Sequence, residues 1–122
     1  MAENKQYIMQ VQDNGRVLIS EDVIASIAAQ SLTEIEGFVT LNNKPGAEFA
    51  DIIGKKNWGK GIKVTISEND AVTVDCNVIV AYGSSVVTVA GNIQEAVVSA
   101  LKSMTAISSV DVNVNVCGIA RQ

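Results

Sequence analysis

Histidine is absent from the 122 residues. Its absence removes Ser-His-Asp and Cys-His nucleophile activation, the usual general base near neutral pH and the commonest metal ligand. Aromatics are scarce: one Trp, two Tyr and two Phe, so any core must be built from Val, Ile, Ala and Leu. Only two cysteines occur, Cys76 and Cys117. They form no CxxC redox or zinc motif and read as free thiols of a reducing compartment. Basic residues are outnumbered nine to thirteen, giving a net charge of −4, a poor match to phosphate-rich partners. No apolar run approaches the ~20 residues of a membrane-spanning helix. The opening MAENKQYIMQVQDNG has no apolar h-region, so it is not a secretory signal. The expectation is a soluble, cytoplasmic protein that does not insert directly into a membrane and meets one only through a partner.

What is present is hydrophobic periodicity. Nearly half of the chain, 48%, is hydrophobic, and its length suits one domain that buries roughly two-thirds of its unfolded surface. Residues 15–19, GRVLI, read as a strand. Ser20 reads as an N-cap with Glu21 and Asp22 in the first turn. Val23, Ile24, Ile27, Ala28, Ser31 and Ile35 recur at helical spacing, so a helix is expected over 21–35, with Gly37 as its stop. FVTL at 38–41 reads as a strand, NNKPG with the single proline Pro45 breaks the chain, and 47–53 reads as a short helix.

The period then changes to two. Ile62, Val64 and Ile66 alternate with polar residues, ENDA turns, and Val72, Val74, Cys76, Val78 and Val80 continue the alternation, which predicts a hairpin with one buried face. Ser84 or Ser85 caps a long helix over 85–104, whose stripe is Val86, Ala90, Ile93, Val97, Ala100, Leu101 and Met104. Val110, Val112, Val114 and Val116 form the last strand. The order β-α-β-(α)-β-β-α-β predicts a two-layer α+β fold, a largely antiparallel sheet with two main helices on one face. The domain is expected over 15–119, with 1–14 as an N-terminal extension and 120–122 as a tail.

Residues 54–61, GKKNWGKG, come within one position of the phosphate-binding frame G-x-x-x-x-G-K-[ST]. A phosphate loop needs a strand before it, a hydroxyl after the lysine and a helix whose N-terminus faces the anion. Here Gly61 replaces the hydroxyl residue, IKVTIS has strand period, and AEFADII is not β-rich, so nucleotide binding is not expected. Lys55, Lys56, Trp58 and Lys60 read as a solvated loop with Trp58 on the domain edge, or as a partner-contact patch. A KH-like RNA-binding module using these lysines and Lys63 is the weaker alternative, because no GXXG clamp occurs in this stretch.

Thr73, Asp75, Asn77, Asp111, Asn113 and Asn115 share one predicted sheet face. Asn and Asp are depleted in strands, so their repetition marks either a solvated face or a surface for self-association or a partner. Acid–base chemistry or a calcium site would need Asp75 and Asp111 on adjacent strands within a few ångströms. Cys117 follows the parity of this polar face and Cys76 that of the buried one. With no histidine to lower its pKa, Cys117 is not expected to be catalytic.

Five stretches, GRVLISEDVIASIA (15–28), GKGIKV (59–64), VIVAYG (78–83), NIQEAVVSAL (92–101) and VDVNVNVCGI (110–119), together resemble the alkaline shock protein family, envelope stress response proteins of Gram-positive bacteria. The resemblance rests on their combination and order and is weakest over 42–58. It implies a non-enzymatic cytoplasmic protein linked to cell-envelope or alkaline stress. It carries over no catalytic residue, cofactor or metal ligand. The partners it implies are a membrane-anchored protein or a lipid-metabolism enzyme, with a homo-oligomer also open. The partner-contact candidates are Lys55, Lys56, Trp58, Lys60, Asp75, Asn77, Asp111, Asn113 and Asn115.

Overall fold

Val72, Val74, Cys76, Val78 and Val80 are all buried, at 1% exposure or less. They lie on one face of a ten-residue strand that organises the rest of the chain. The computed structural model describes residues 7–42 and 61–121. Its elements run β1 (Tyr7–Gln12), β2 (Gly15–Ser20), α1 (Glu21–Ser31), β3 (Phe38–Leu41), β4 (Ile62–Ile66), β5 (Val72–Ala81), α2 (Val86–Thr105) and β6 (Val110–Ala120). The fold is α+β, as the periodicity predicts. The expected helix over 47–53 lies outside the described residues.

β5 is the centre of a four-stranded sheet. Along one edge it pairs antiparallel with β3 through its C-terminal half and with β4 through its N-terminal half. Along the other it pairs parallel with β6 over its full length. The parallel pair requires a crossover, and α2 supplies it. β1 and β2 form a separate antiparallel hairpin. β1 falls inside the stretch 1–14 assigned from sequence to an extension. Its alternation, YIMQVQ, and the D-N-G turn after it are the local signal for that hairpin.

Both helices begin as their capping residues dictate. The Ser20 hydroxyl accepts from the Val23 amide at 3.3 Å, and the Ser85 hydroxyl accepts from the Thr88 amide at 3.3 Å. Helix α1 stops at Ser31, earlier than the expected 35. The Ser31 and Thr33 hydroxyls donate to the carbonyls of Ala28 and Gln30. The Leu32, Thr33 and Ile35 amides close three-residue turns. Such local bonds compete with continued helix. Gly37 then turns the chain at φ +91°, where a Cβ would come within 2.6 Å of the Val89 side chain.

The core joins Ile24, Ala28 and Leu32 of the α1 segment to Ile93, Val97 and Leu101 of α2 and the valine face of β5. The buried stripe of α2 is Val89, Ile93, Val97, Leu101 and Thr105. It is rotated from the expected one, so Met104, an expected core residue, is 69% exposed. The Thr105 hydroxyl, buried at the helix end, is satisfied by donating to the Leu101 carbonyl at 2.6 Å.

Candidate interaction surface

The alternation that turns the valines inward turns Thr73, Asp75 and Asn77 of β5 to the opposite face. The parallel register sets Thr73 beside Asp111, Asp75 beside Asn113 and Asn77 beside Asn115. All six residues expected to share a face are therefore brought together. Two of the three rows are hydrogen-bonded: Asn113 Nδ2 donates to Asp75 Oδ1 at 2.9 Å, and Asn115 Nδ2 donates to Asn77 Oδ1 at 3.0 Å. On the other side of β5, Lys63 stands opposite Asp75 and Thr65 opposite Thr73. The surface is thus a ladder of amides and carboxylates across three strands.

The ladder grades from wet to dry. Asp111 and Asn113 are exposed, Thr73, Asp75 and Asn115 half-buried, and Asn77 fully buried. Asn77 sits where β3 ends and β4 begins. Its amide donates to the Gly61 carbonyl and its carbonyl accepts from the Asn42 amide, both at 2.8 Å. Residues 42 and 61 are far apart in sequence, so no local pattern marks this junction. Gly61 has φ +83°, and a Cβ there would lie 3.0 Å from the Asn42 nitrogen and from Leu41 Cβ. The Nδ2 of Asn77 has no partner among the described residues.

The residue after Lys60 therefore leads into strand β4 and not into a helix, so the phosphate-loop frame lacks the helix N-terminus that would face an anion. Lys55, Lys56, Trp58 and Lys60 themselves lie outside the described residues. Asp75 and Asp111 occupy adjacent strands but different rows, each opposite an uncharged residue across the β5–β6 pair. The register therefore does not set the two carboxylates side by side, as acid–base pairing would need. Among the described residues, no group of three or more His, Cys, Asp or Glu could hold a metal ion.

Neither thiol is activated. Burial, with Asp75 next to it adding a smaller effect, pushes Cys76 up to about 12. Cys117 is the extra residue of a bulge, since Val116 pairs with Val78 and Gly118 with Ile79. Partial burial raises its pKa, and a hydrogen bond with the Asn42 side chain pulls the other way. Its thiol points at the Asn115 carbonyl, 3.6 Å away. Both stay protonated at neutral pH, when a nucleophile would need the thiolate. On the opposite, helical layer, an open groove of about 540 Å³ between α1 and α2 is lined by residues that include Ile27, Gln30, Ala100 and Met104. No helix among the described residues is long and apolar enough to cross a membrane.

The fold and site define a small two-layer α+β domain whose distinctive surface is a polar sheet face, not a cleft. The chain belongs to the alkaline shock protein 23 family, described by a cell envelope-related function, whose model matches residues 9–121. It is 31% identical over 121 residues to the uncharacterized protein YqhY of Bacillus subtilis, covering 98% of this chain and 89% of that one. It is 36% identical over 108 residues to the uncharacterized protein Spy1535 of Streptococcus pyogenes serotype M6, covering 88% and 81% of the two chains. It is 28% identical over 107 residues to the uncharacterized protein YloU of Bacillus subtilis, covering 86% and 88%. No solved structure matches the chain significantly.

Proposed function

We propose that this chain is a non-enzymatic interaction protein of the cytoplasm that supports cell-envelope homeostasis by self-association or by binding a partner. The observation that carries this reading is the amide ladder itself. Asp75 and Asn113, and Asn77 and Asn115, are held by one another in a ladder whose outer end, Asp111 and Asn113, is exposed and whose inner end, Asn77, is buried, an arrangement suited to a second surface rather than to a substrate. Family membership, with its cell envelope-related function, supplies the setting. A membrane-anchored protein is the partner class that would place a chain of this kind at the envelope. The alternative is regulation of a lipid-metabolism enzyme; it would use the same surface and requires no chemistry from this chain.

The test is a crosslinked pull-down of the tagged protein from its own cells, read by mass spectrometry and repeated with Asp111→Lys plus Asn113→Lys. Both substitutions fall on the exposed end of the ladder. A dominant membrane protein captured by the wild type and lost at least severalfold in the variant is the expected result. A soluble lipid-metabolism enzyme captured in its place selects the regulatory reading. Capture that the variant leaves unchanged rejects the ladder as the contact surface.

A further inference from the structure

β6 is an eleven-residue strand, Val110–Ala120, hydrogen-bonded among the described residues along one side only, to β5. Its parity can be read from the ladder. The Val72 amide donates to the Ser109 carbonyl at 2.9 Å. A two-residue period then turns the main-chain groups of Asp111, Asn113 and Asn115 toward β5. Those of Val110, Val112, Val114 and Val116 point to the open edge. Among these outward groups the Val112 carbonyl is covered by Gln94, whose Nε2 donates to it at 3.0 Å. An edge of this length is usually blunted by proline, lysine, inward charge or a short strand. This strand has no proline, no lysine and a single charge, Asp111, and its bulge lies near its C-terminal end, at Cys117.

We infer that the open edge of β6 pairs antiparallel with β6 of a second copy of this chain, about a two-fold axis at Val114. The inference deepens the self-association half of the proposed function and rests on that reading. The strand's own chemistry selects a second copy as the occupant. With Val114 opposite Val114 of the second chain, Val112 faces Val116 on the helical side. The outward main-chain groups of these residues meet as hydrogen-bonded pairs, and Gln94 must swing off the Val112 carbonyl, or share it through the second lone pair, for the Val112–Val116 pair to exchange both bonds. On the polar side Asn113 faces Asn115, and a carboxamide both donates and accepts, so the row is self-complementary. Asp111 faces Cys117, which keeps the two Asp111 carboxylates at opposite ends of the paired segment. The register thus contains no like-charge pair, and one repeated surface serves both copies, as a two-fold interface demands. The rows Asp75–Asn113 and Asn115–Asn77 then join across the axis into a continuous amide ladder.

Sedimentation velocity on the full chain over a concentration series tests the pairing, with circular dichroism to confirm folding. The wild type is expected to show a monomer–dimer equilibrium. Val114→Pro removes an amide that faces the open edge and not β5, a position where proline is tolerated, so a folded monomer is expected. Asn113→Lys with Asn115→Lys leaves every main-chain bond in place and sets like charges across the axis twice. It should raise the dimer dissociation constant about tenfold or more. Asn113→Lys with Asn115→Asp sets opposite charges there and should restore dimerisation. If the proline variant unfolds, the two charge variants decide the matter by themselves. A wild type that stays monomeric at its highest soluble concentration overturns the pairing. So does a dimer indifferent to the paired lysines, or one not restored by the charge swap. Partners captured from cells by a chain that stays monomeric would sink the edge pairing and leave partner binding standing. A dimer that captures no partner would leave self-association alone.

Discussion

The two faces of β5 are built from alternate residues of the same ten, yet they hold the molecule differently. On the helical face, Val72, Val74, Cys76, Val78 and Val80 are closed off from water by α1 and α2. On the other face, Thr73 and Asp75 stay half-exposed while Asn77 is fully buried. The first face contributes through apolar area removed from water, on the order of 25 cal/mol per Å². The second contributes through side-chain hydrogen bonds, worth about 1 kcal/mol each after the cost of leaving water. The difference teaches that stability is concentrated under the helices. The outer face is left able to change its contacts at small cost, which is what a docking surface requires.

The largest expected effect lies at the helical interface. Ile93 is fully buried, and Ile93→Ala should lower the unfolding free energy by about 2–5 kcal/mol, including the cavity left behind. Urea unfolding monitored by circular dichroism measures it. A loss no larger than that of an outer-face substitution would erase the distinction between the faces.

The next effect is a dependence on alkaline pH. The native state holds the Cys76 proton up to about 12, against an ordinary value of 9.0. A raised native pKa means that stability is unaffected below about 9.0 and falls as pH climbs from there through about 12. The slope from this one group is at most about 1.4 kcal/mol per pH unit. Urea unfolding across that window should show the decline, and Cys76→Ala should flatten it by the contribution of one thiol. Identical slopes in the two proteins would mean that Cys76 ionises equally in both states.

The smallest effect is on the outer face. Asn113→Asp sets a second carboxylate beside Asp75 in place of a donor. Because Asn113 is exposed, the cost should stay under about 1 kcal/mol and shrink in high salt. Thermal unfolding at low and high ionic strength checks it. A salt-independent loss as large as that of Ile93→Ala would make the outer face a structural element like the inner one.

Legibility followed the same division. β4, β5 and β6 were readable because each has one face against the helices, and that asymmetry writes itself as valine alternation. The ladder was readable for the same reason, since Asp75, Asn77, Asn113 and Asn115 are simply the complementary parity. The burial of Asn77 was not, because alternation gives it the same parity as the half-exposed Thr73 and Asp75. The true end of α1 depends on hydroxyl-to-carbonyl bonds of Ser31 and Thr33 that a periodic stripe does not encode. Met104 has the right spacing for the core but stands beside the stripe through Val89, Ile93, Val97 and Leu101. The separate phase of that stripe is fixed by the sheet beneath it, not by the helix.

Every pairing in the four-stranded sheet passes through β5: β3 and β4 share one of its edges and β6 takes the other. None of these three neighbours has another of them to fall back on. Release of β5 therefore frees all three at once, whereas β3, β4 or β6 can each part from β5 alone and leave the other pairings in place. Among the described residues the β1–β2 hairpin pairs only within itself, so its ladder does not depend on β5. The four-stranded sheet thus depends on one strand for every ladder, while the hairpin depends on side chains, Ile8 in the core and Gln10 donating to the Thr105 carbonyl at the end of α2.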